Sequence, residues 1–365
     1  AGQPASAEAH LLLEGERIAE VDRVQVNGSG LALSGRATFA NGRAQRMELD
    51  RLVLGTGTDA RGTIAIPQRP VDPWRITLTG RSLDASAQFR RTPRPAQPPK
   101  PAPPGPPYVL DARFDRVIAG NGRDLTGVSA QVDSDGQVMR RLAVAGQTGG
   151  AQPFNLTIEP QPGGRRLVGN SSDAGGLLLA LGVIESMRGG KLRLTGDYND
   201  TQADHPLTGR AEIDNFRIVN APFLGRALQA MTLYGVVGML QGPGLGFSKL
   251  EAPFSLRSDV LEILDSRAFS ASLGMTAKGK LDLARHTLDI QGTIVPAYFF
   301  NSLLGDIPLI GRLFSPERGS GLFAATYTAR GPLNDPTVSV NPLAALTPGF
   351  LRGLFRLFDR PASAQ

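Results

Sequence analysis

Few side chains in this 365-residue chain belong to the types that carry covalent or metal chemistry, and their spacing assembles no site. There are three histidines, His10, His205 and His286, and no cysteine. His205 follows an acidic run of Asp197, Asn199, Asp200 and Asp204 that offers oxygen donors like those of a calcium loop. A calcium loop also needs a glycine at its sixth position and a bidentate glutamate at its twelfth; Gln202 and Thr208 stand there instead. A solvated hairpin turn is therefore expected. His286 lies between two strand-like runs and reads as a solvent-facing turn residue. Asp204 and His205 have no serine on a strained strand-to-helix turn to activate. Gly242, Gly244 and Gly246 lead into a strand rather than a helix, so they lack the helix N-terminus of a phosphate cradle. No nucleotide fingerprint or zinc spacing is present. The reading is a protein that is not an enzyme, with no catalytic residues, no metal and no cofactor.

The clearest physical signal lies near the end of the chain. Phe350, Leu351, Leu354, Phe355, Leu357 and Phe358 share one arc of a short helix, and Arg352, Gly353 and Arg356 fall opposite. Basic residues opposite Phe and Leu suit a helix lying in a membrane interface. The expected membrane contact is thus Phe350, Leu351, Arg352, Leu354, Phe355, Arg356, Leu357 and Phe358. The net charge is +6, with arginine spread along the chain. That favours anionic surfaces over a nucleic-acid footprint. No run of eighteen apolar residues could span a bilayer, and no signal peptide begins at Ala1. Because residue 1 is not methionine, a processed product or a C-terminal fragment is expected, with any anchor outside this sequence. The lack of cysteine fits an oxidising compartment.

Most of the sequence alternates with period two, the pattern of strands with one wet and one apolar face. Leu31 to Phe39, Val109 to Ile118, Leu250 to Leu256, Phe269 to Ala277, Leu288 to Ile294 and Phe323 to Ala329 are examples. Turn signals such as Asn41-Gly42 and Asp135-Gly136 separate them at short intervals. The expected fold is all-β: an elongated, curved antiparallel sheet forming an open hydrophobic groove, a half-pipe, with a few short helices. Shared parity points Phe254, Leu256, Phe269, Leu273, Met275, Leu288, Ile290, Ile294, Phe323 and Tyr327 into that groove. Small residues on the same faces, such as Ala112, Ala252, Ala271, Ala277 and Ala325, leave room for a ligand, and acyl chains are a natural filler. Short helices are expected over 172–187, 221–231 and 298–304. The proline-rich stretch 91–107 reads as a linker or long loop. The expected division is 1–90 as a groove segment, 91–107 as linker, 108–346 as a second groove region and 347–365 as helix and tail.

Three segments also resemble a known family. One runs from Ser172-Asp173 through Leu181 to Met187, Gly189-Gly190 and Gly196. The second runs from Leu281 through Gly292, Pro296, Tyr298 and Asn301 to Gly305, Pro308 and Gly311. The third runs from Gly321 through Tyr327, Gly331-Pro332, Asp335-Pro336 and Asn341-Pro342 to Pro348-Gly349-Phe350. Together they resemble the C-terminal region of the YhdP branch of the AsmA-like proteins, relatives of TamB in Gram-negative bacteria. The resemblance covers about residues 108–358. It implies a periplasmic, cell-envelope body anchored in the inner membrane through a segment outside this chain. It also implies phospholipid as cargo and the outer-membrane surface as a partner. A reading from another class is an envelope scaffold that supports outer-membrane assembly by binding protein partners along its sheet edges.

Overall fold

The computed structural model describes residues 4–89, 105–221, 224–225, 228, 243–270, 273–296, 325–333 and 336–341. The chain forms two compact units. The first comprises Ala1–Arg91 and Gln97–Glu185, and the second is chiefly Ser186–Gln365. Both are built almost wholly of strands.

Unit 1 contains β1 (Ala5–Glu14), β2 (Arg17–Gly28), β3 (Leu31–Ala40), β4 (Arg43–Leu54), β5 (Thr58–Ala65) and β6 (Trp74–Asp84). It continues with β7 (Tyr108–Ile118), β8 (Asp124–Ser134), β9 (Met139–Thr148), β10 (Gln152–Gln161) and β11 (Gly164–Ser171). Each strand pairs with its sequence neighbours, antiparallel at every step but one. Tight turns make this possible. Asn41 and Gly42 both have positive φ, at 52° and 75°, the geometry whose twist matches the flanking strands.

The exception is β6 with β7, a parallel pair from Trp74↔Tyr108 to Asp84↔Ile118. Antiparallel strands can be joined by two residues, whereas parallel strands need a crossover of a dozen or more. The chain must therefore return from the Asp84 end of β6 to its Trp74 end before β7 can start. An eleven-residue strand at roughly 3.3 Å per residue is about 36 Å long. The proline-rich stretch supplies enough residues for that return. It was expected to be a linker or a long loop; β6 and β7 pair with each other on either side of it, and the boundary between units falls at Glu185/Ser186.

Unit 2 contains β12 (Met187–Asn199), β13 (Leu207–Ile218), β14 (Leu245–Arg257), β15 (Val260–Phe269), β16 (Leu273–Asp282), β17 (Thr287–Pro296), β18 (Ala325–Pro332) and β19 (Thr337–Asn341). Among the described residues its pairings are antiparallel and between sequence neighbours. Among the described residues neither sheet closes on itself: β1 does not pair with β11, nor β12 with β19. The all-β open antiparallel architecture is thus present in each unit.

Bulges bend these sheets locally. In unit 1 they fall on alternate strands: at Asp22-Arg23 of β2, Asp50-Arg51 of β4, Arg81 of β6 and Gly127-Val128 of β8. In unit 2, β15 bulges at Leu264-Asp265. A bulge bends the strand and raises its twist, so neighbouring backbones approach closely. Glycine fits there. A Cβ on Gly35, Gly62, Gly80, Gly209, Gly279 or Gly292 would collide with a carbonyl oxygen of the adjacent strand.

Helices are short. α1 is Ser86–Phe89 and α2 is Ala174–Ala180. Asp173 caps α2 by accepting from the Gly176 N–H at 2.9 Å. The helix expected to reach residue 187 ends earlier because Gly182 turns the chain at φ 67° and Met187 already opens β12. In the 221–231 stretch, Leu224, Gly225 and Leu228 are helical, with both leucines buried. The helix expected over 298–304 and the C-terminal helix lie outside the described residues.

Two measurements check these features. Gly292→Ala puts a methyl against Thr276 backbone and 2.8 Å from Tyr327 Oη. It should lower stability by about 1–3 kcal/mol in urea unfolding; an unchanged midpoint would contradict the close approach. Asp135 caps the β8–β9 turn, accepting from the Val138 and Gln137 N–H groups and from Arg140, and its carboxyl is lowered to about 2. A lowered carboxyl stabilises the fold above its unfolded value near about 4. That contribution is lost as pH falls towards 2. Asp135→Ala should therefore be less stable than the parent at pH 7, with the gap shrinking between pH 4 and 2.

Candidate apolar binding face

Register lines up the alternating residues of successive strands into rows. In unit 1 one row runs Ala9, Val24, Gly35, Leu49, Gly62, Leu78, Ala112, Ala130, Val144, Leu156, Gly169, one residue from each of the eleven strands. The adjacent row starts at Leu11 and Val21 and ends at Leu142, Ile158 and Leu167 without a polar residue. The opposite register carries ion pairs instead, among them Arg46–Glu48 at 2.6 Å and Arg81–Asp59.

Unit 2 repeats the segregation within itself. One row is Leu192, Ile213, Leu250, Ala268, Met275, Ile294 and Ala325. A second is Tyr198, Leu207, Leu256, Leu261, Leu281, Leu288 and Gly331. Between them runs Gly196, Gly209, Phe254, Ile263, Gly279, Ile290, Ala329 and Val338. The other face holds Arg193, paired with Glu212 and Asp214 at 3.1 Å each, Lys249 with Glu251 at 2.6 Å, and Arg330 with Asp289 at 3.0 Å.

Large side chains on the apolar face lie down across neighbouring glycines. A Cβ on Gly62 would meet Leu78 Cδ2 at 2.8 Å, and one on Gly209 would meet Phe254 Cζ at 2.8 Å. Gly146 faces Phe154, and Gly292 lies under Tyr327. The apolar layer is therefore shallow. In unit 2 this face is covered at one end, where Leu273, Ile294 and Ala325 are buried, and the helical Leu224 and Leu228 are buried as well.

Burial within unit 2 is graded along the strands. At one end Met187, Phe216, Leu245, Phe247, Leu273, Val295 and Ala325 are buried, with the Phe216 and Phe247 rings stacked at 5.2 Å. At the other end Leu207 is buried, while Leu256, Leu261, Leu281 and Leu288 remain part-exposed. Unit 1 is more open still at its first strands, where Leu13 is 64% and Leu54 46% exposed.

Phe254, Leu256, Met275, Leu288, Ile290 and Ile294 fall in these apolar rows, and Leu273 and Tyr327 share their strand parity. Phe269 does not. It ends β15, opposite Lys249 and Gly274, in the register of the polar residues. The sequence run from Phe269 to Ala277 reads as one alternating strand, but a turn at Ser270 divides it, and the Leu264-Asp265 bulge has already shifted the parity of β15. Phe323 lies outside the described residues, as do Phe350, Leu351, Arg352, Leu354, Phe355, Arg356, Leu357 and Phe358. Leu192, Tyr198, Leu207, Leu261, Ile263 and the apolar rows of unit 1 belong to the same kind of face, and their alternation was present in the sequence.

The polar residues first considered for chemistry stay apart. His205 contacts Asp200 at 3.1 Å in the β12–β13 turn, while Arg257 pairs with Asp204 at 3.0 Å. His286 is a half-buried turn residue with φ 55°. Among the described residues no cluster of three or more His, Asp or Glu could hold a metal ion. Tyr327 is a strongly shifted group on the apolar face: burial pushes its phenol well above the usual tyrosine value, and its hydroxyl donates to Thr276 O at 2.9 Å.

No family model matches this chain, and no curated protein or solved structure matches it.

Of the five tyrosines, Tyr327 should stay protonated in alkaline ultraviolet titration after an ordinary phenol, near about 10, has ionised. Tyr327→Phe should remove that late component and cost about 0.5–1.5 kcal/mol of stability through the lost hydrogen bond. A titration unchanged by the substitution would contradict the buried placement.

Proposed function

We propose that this protein shields phospholipid acyl chains on its apolar sheet face, as the periplasmic part of a bridge-like lipid transfer protein between inner and outer membranes. The observation that carries the reading is the row of apolar and glycine residues that passes unbroken through eleven strands of unit 1, matched by apolar rows in unit 2. A globular core needs a second layer on such a face. Acyl chains are long, apolar and without hydrogen-bonding groups, so they can cover a shallow face of this kind. Each methylene removed from water contributes about 0.8 kcal/mol.

The resemblance to the YhdP branch of the AsmA-like proteins supports the same cargo and compartment. In this reading the segment from Phe350 to Phe358 rests on the outer-membrane surface, and an inner-membrane anchor lies outside the sequence. Transfer along an apolar face requires no catalytic group.

The scaffold reading is favoured by one observation. Among the described residues β1 is paired on one side only, and all ten of its residues are exposed, so its free edge could accept a partner strand. The two readings part on bound lipid, which a scaffold does not need.

Phe254 and Ile290 are part-exposed on the central row of unit 2. A charge among acyl chains is costly. Phe254→Asp combined with Ile290→Asp should reduce phospholipid recovered with the purified protein by about tenfold or more, with the β circular dichroism retained. Gln291→Asp, in the opposite register, should leave it unchanged. A folded double variant carrying as much lipid as the parent would sink the reading.

A further inference from the structure

The polar face of unit 1 is not uniform. Between β4 and β8 it holds an open depression of about 810 Å³ lined by four arginines, Arg51, Arg61, Arg81 and Arg113, and three aspartates, Asp50, Asp59 and Asp115. We propose that this depression binds a phosphate-bearing anion through Arg51, Arg61 and Arg113.

Three observations converge on it. The first is the placement of the bulges. Those of β4 and β6 fall at Asp50-Arg51 and Arg81, and that of β8 at Gly127-Val128, so all three contribute lining residues. Bulges re-aim side chains and recur beside functional sites. The second is the register. Arg61, Thr79, Arg113 and Ser129 stand directly opposite one another across β5 to β8. Arg61 and Arg113 are thus two strand spacings apart, about 10 Å, with only hydroxyls interleaved in their row.

The third is the pairing. Arg81 is matched with Asp59, which takes both its Nε and Nη2 donors. The remaining guanidinium groups are not matched in this way. Arg61 makes one long bond to Thr79 Oγ1 at 3.4 Å, and Arg113 approaches Asp111 at 3.5 Å. Among the described residues Arg51 has no hydrogen-bond or ion-pair partner. Three guanidinium forks therefore face the depression against the carboxylates of Asp50 and Asp115. Arginine forks match phosphate oxygens two at a time. The volume is that of a small-molecule site rather than of a single ion, which favours a ligand with more than one phosphate group. The site uses the face opposite the apolar rows and stands whether or not those rows carry lipid.

The test is calorimetric titration of the full chain with inorganic tripolyphosphate, beside sedimentation with phosphatidylglycerol vesicles. Saturable tripolyphosphate binding at one site, weakened about tenfold or more in Arg61→Ala with Arg113→Ala and unchanged in Arg193→Ala of unit 2, is the expected result. Should the double alanine variant fail to fold, Arg61→Lys with Arg113→Lys keeps the charge and removes the forks, and it should also weaken binding. Vesicle binding that is sensitive to these substitutions, without tripolyphosphate binding, would assign the same phosphate chemistry to a lipid headgroup. No binding to either probe, or binding that the substitutions leave intact, overturns the proposal.

Discussion

Register is the constraint on which everything else here depends. In a strand, successive side chains point to opposite faces, so a slip of one residue exchanges the faces of every residue beyond it. An apolar face eleven strands wide survives only if each pairing holds its register and each bulge is matched by a compensating change in sequence. The chain shows that compensation. Val21 and Val24 lie three apart in β2, as do Leu49 and Leu52 in β4, yet all four belong to apolar rows because a bulge intervenes in each strand. Glycine is the other half of the device. At Gly35, Gly62 and Gly279 it permits the backbone approach that a bent pair requires, at the entropic cost that glycine carries in a strand.

Much of this was legible in the sequence. Period-two alternation identified the all-β class, and Asn41-Gly42 marked its turn. The parity rule placed Phe254, Leu256, Leu288 and Ile290 together because no bulge separates the two members of each strand. It misplaced Phe269 because a bulge leaves no local signature beyond a break in alternation, and Leu264-Asp265 looks like an ordinary alternating step. The parallel pairing of β6 with β7 was hidden, because composition does not say whether the strands on either side of a proline-rich stretch run parallel. The arginine depression was invisible for a related reason: Arg51, Arg61, Arg81 and Arg113 meet only through pairings between strands far apart in sequence.

The two faces have opposite chemistry, and each suits a different part of an amphiphile. The polar face pairs some of its charges with one another, in cross-strand pairs such as Arg193 with Glu212 and Arg330 with Asp289. Exposed pairs of this kind contribute little to stability, so their value is in keeping that face wet and the sheet in register. The small residues and flattened aromatic rings of the apolar face leave it shallow, in contrast to the interlocking side chains of a packed sandwich.

Trp74 is the only tryptophan in the chain and stands part-exposed at the start of β6, in the apolar register beside Tyr108. It is a built-in reporter for what touches that face. Vesicles of phospholipid brominated on the acyl chains should quench its fluorescence on mixing with the protein, because the bromines would come to lie against the indole, whereas unbrominated vesicles of the same headgroup should not. Equal fluorescence with the two kinds of vesicle, under conditions where the protein binds lipid, would mean that acyl chains do not occupy the apolar face.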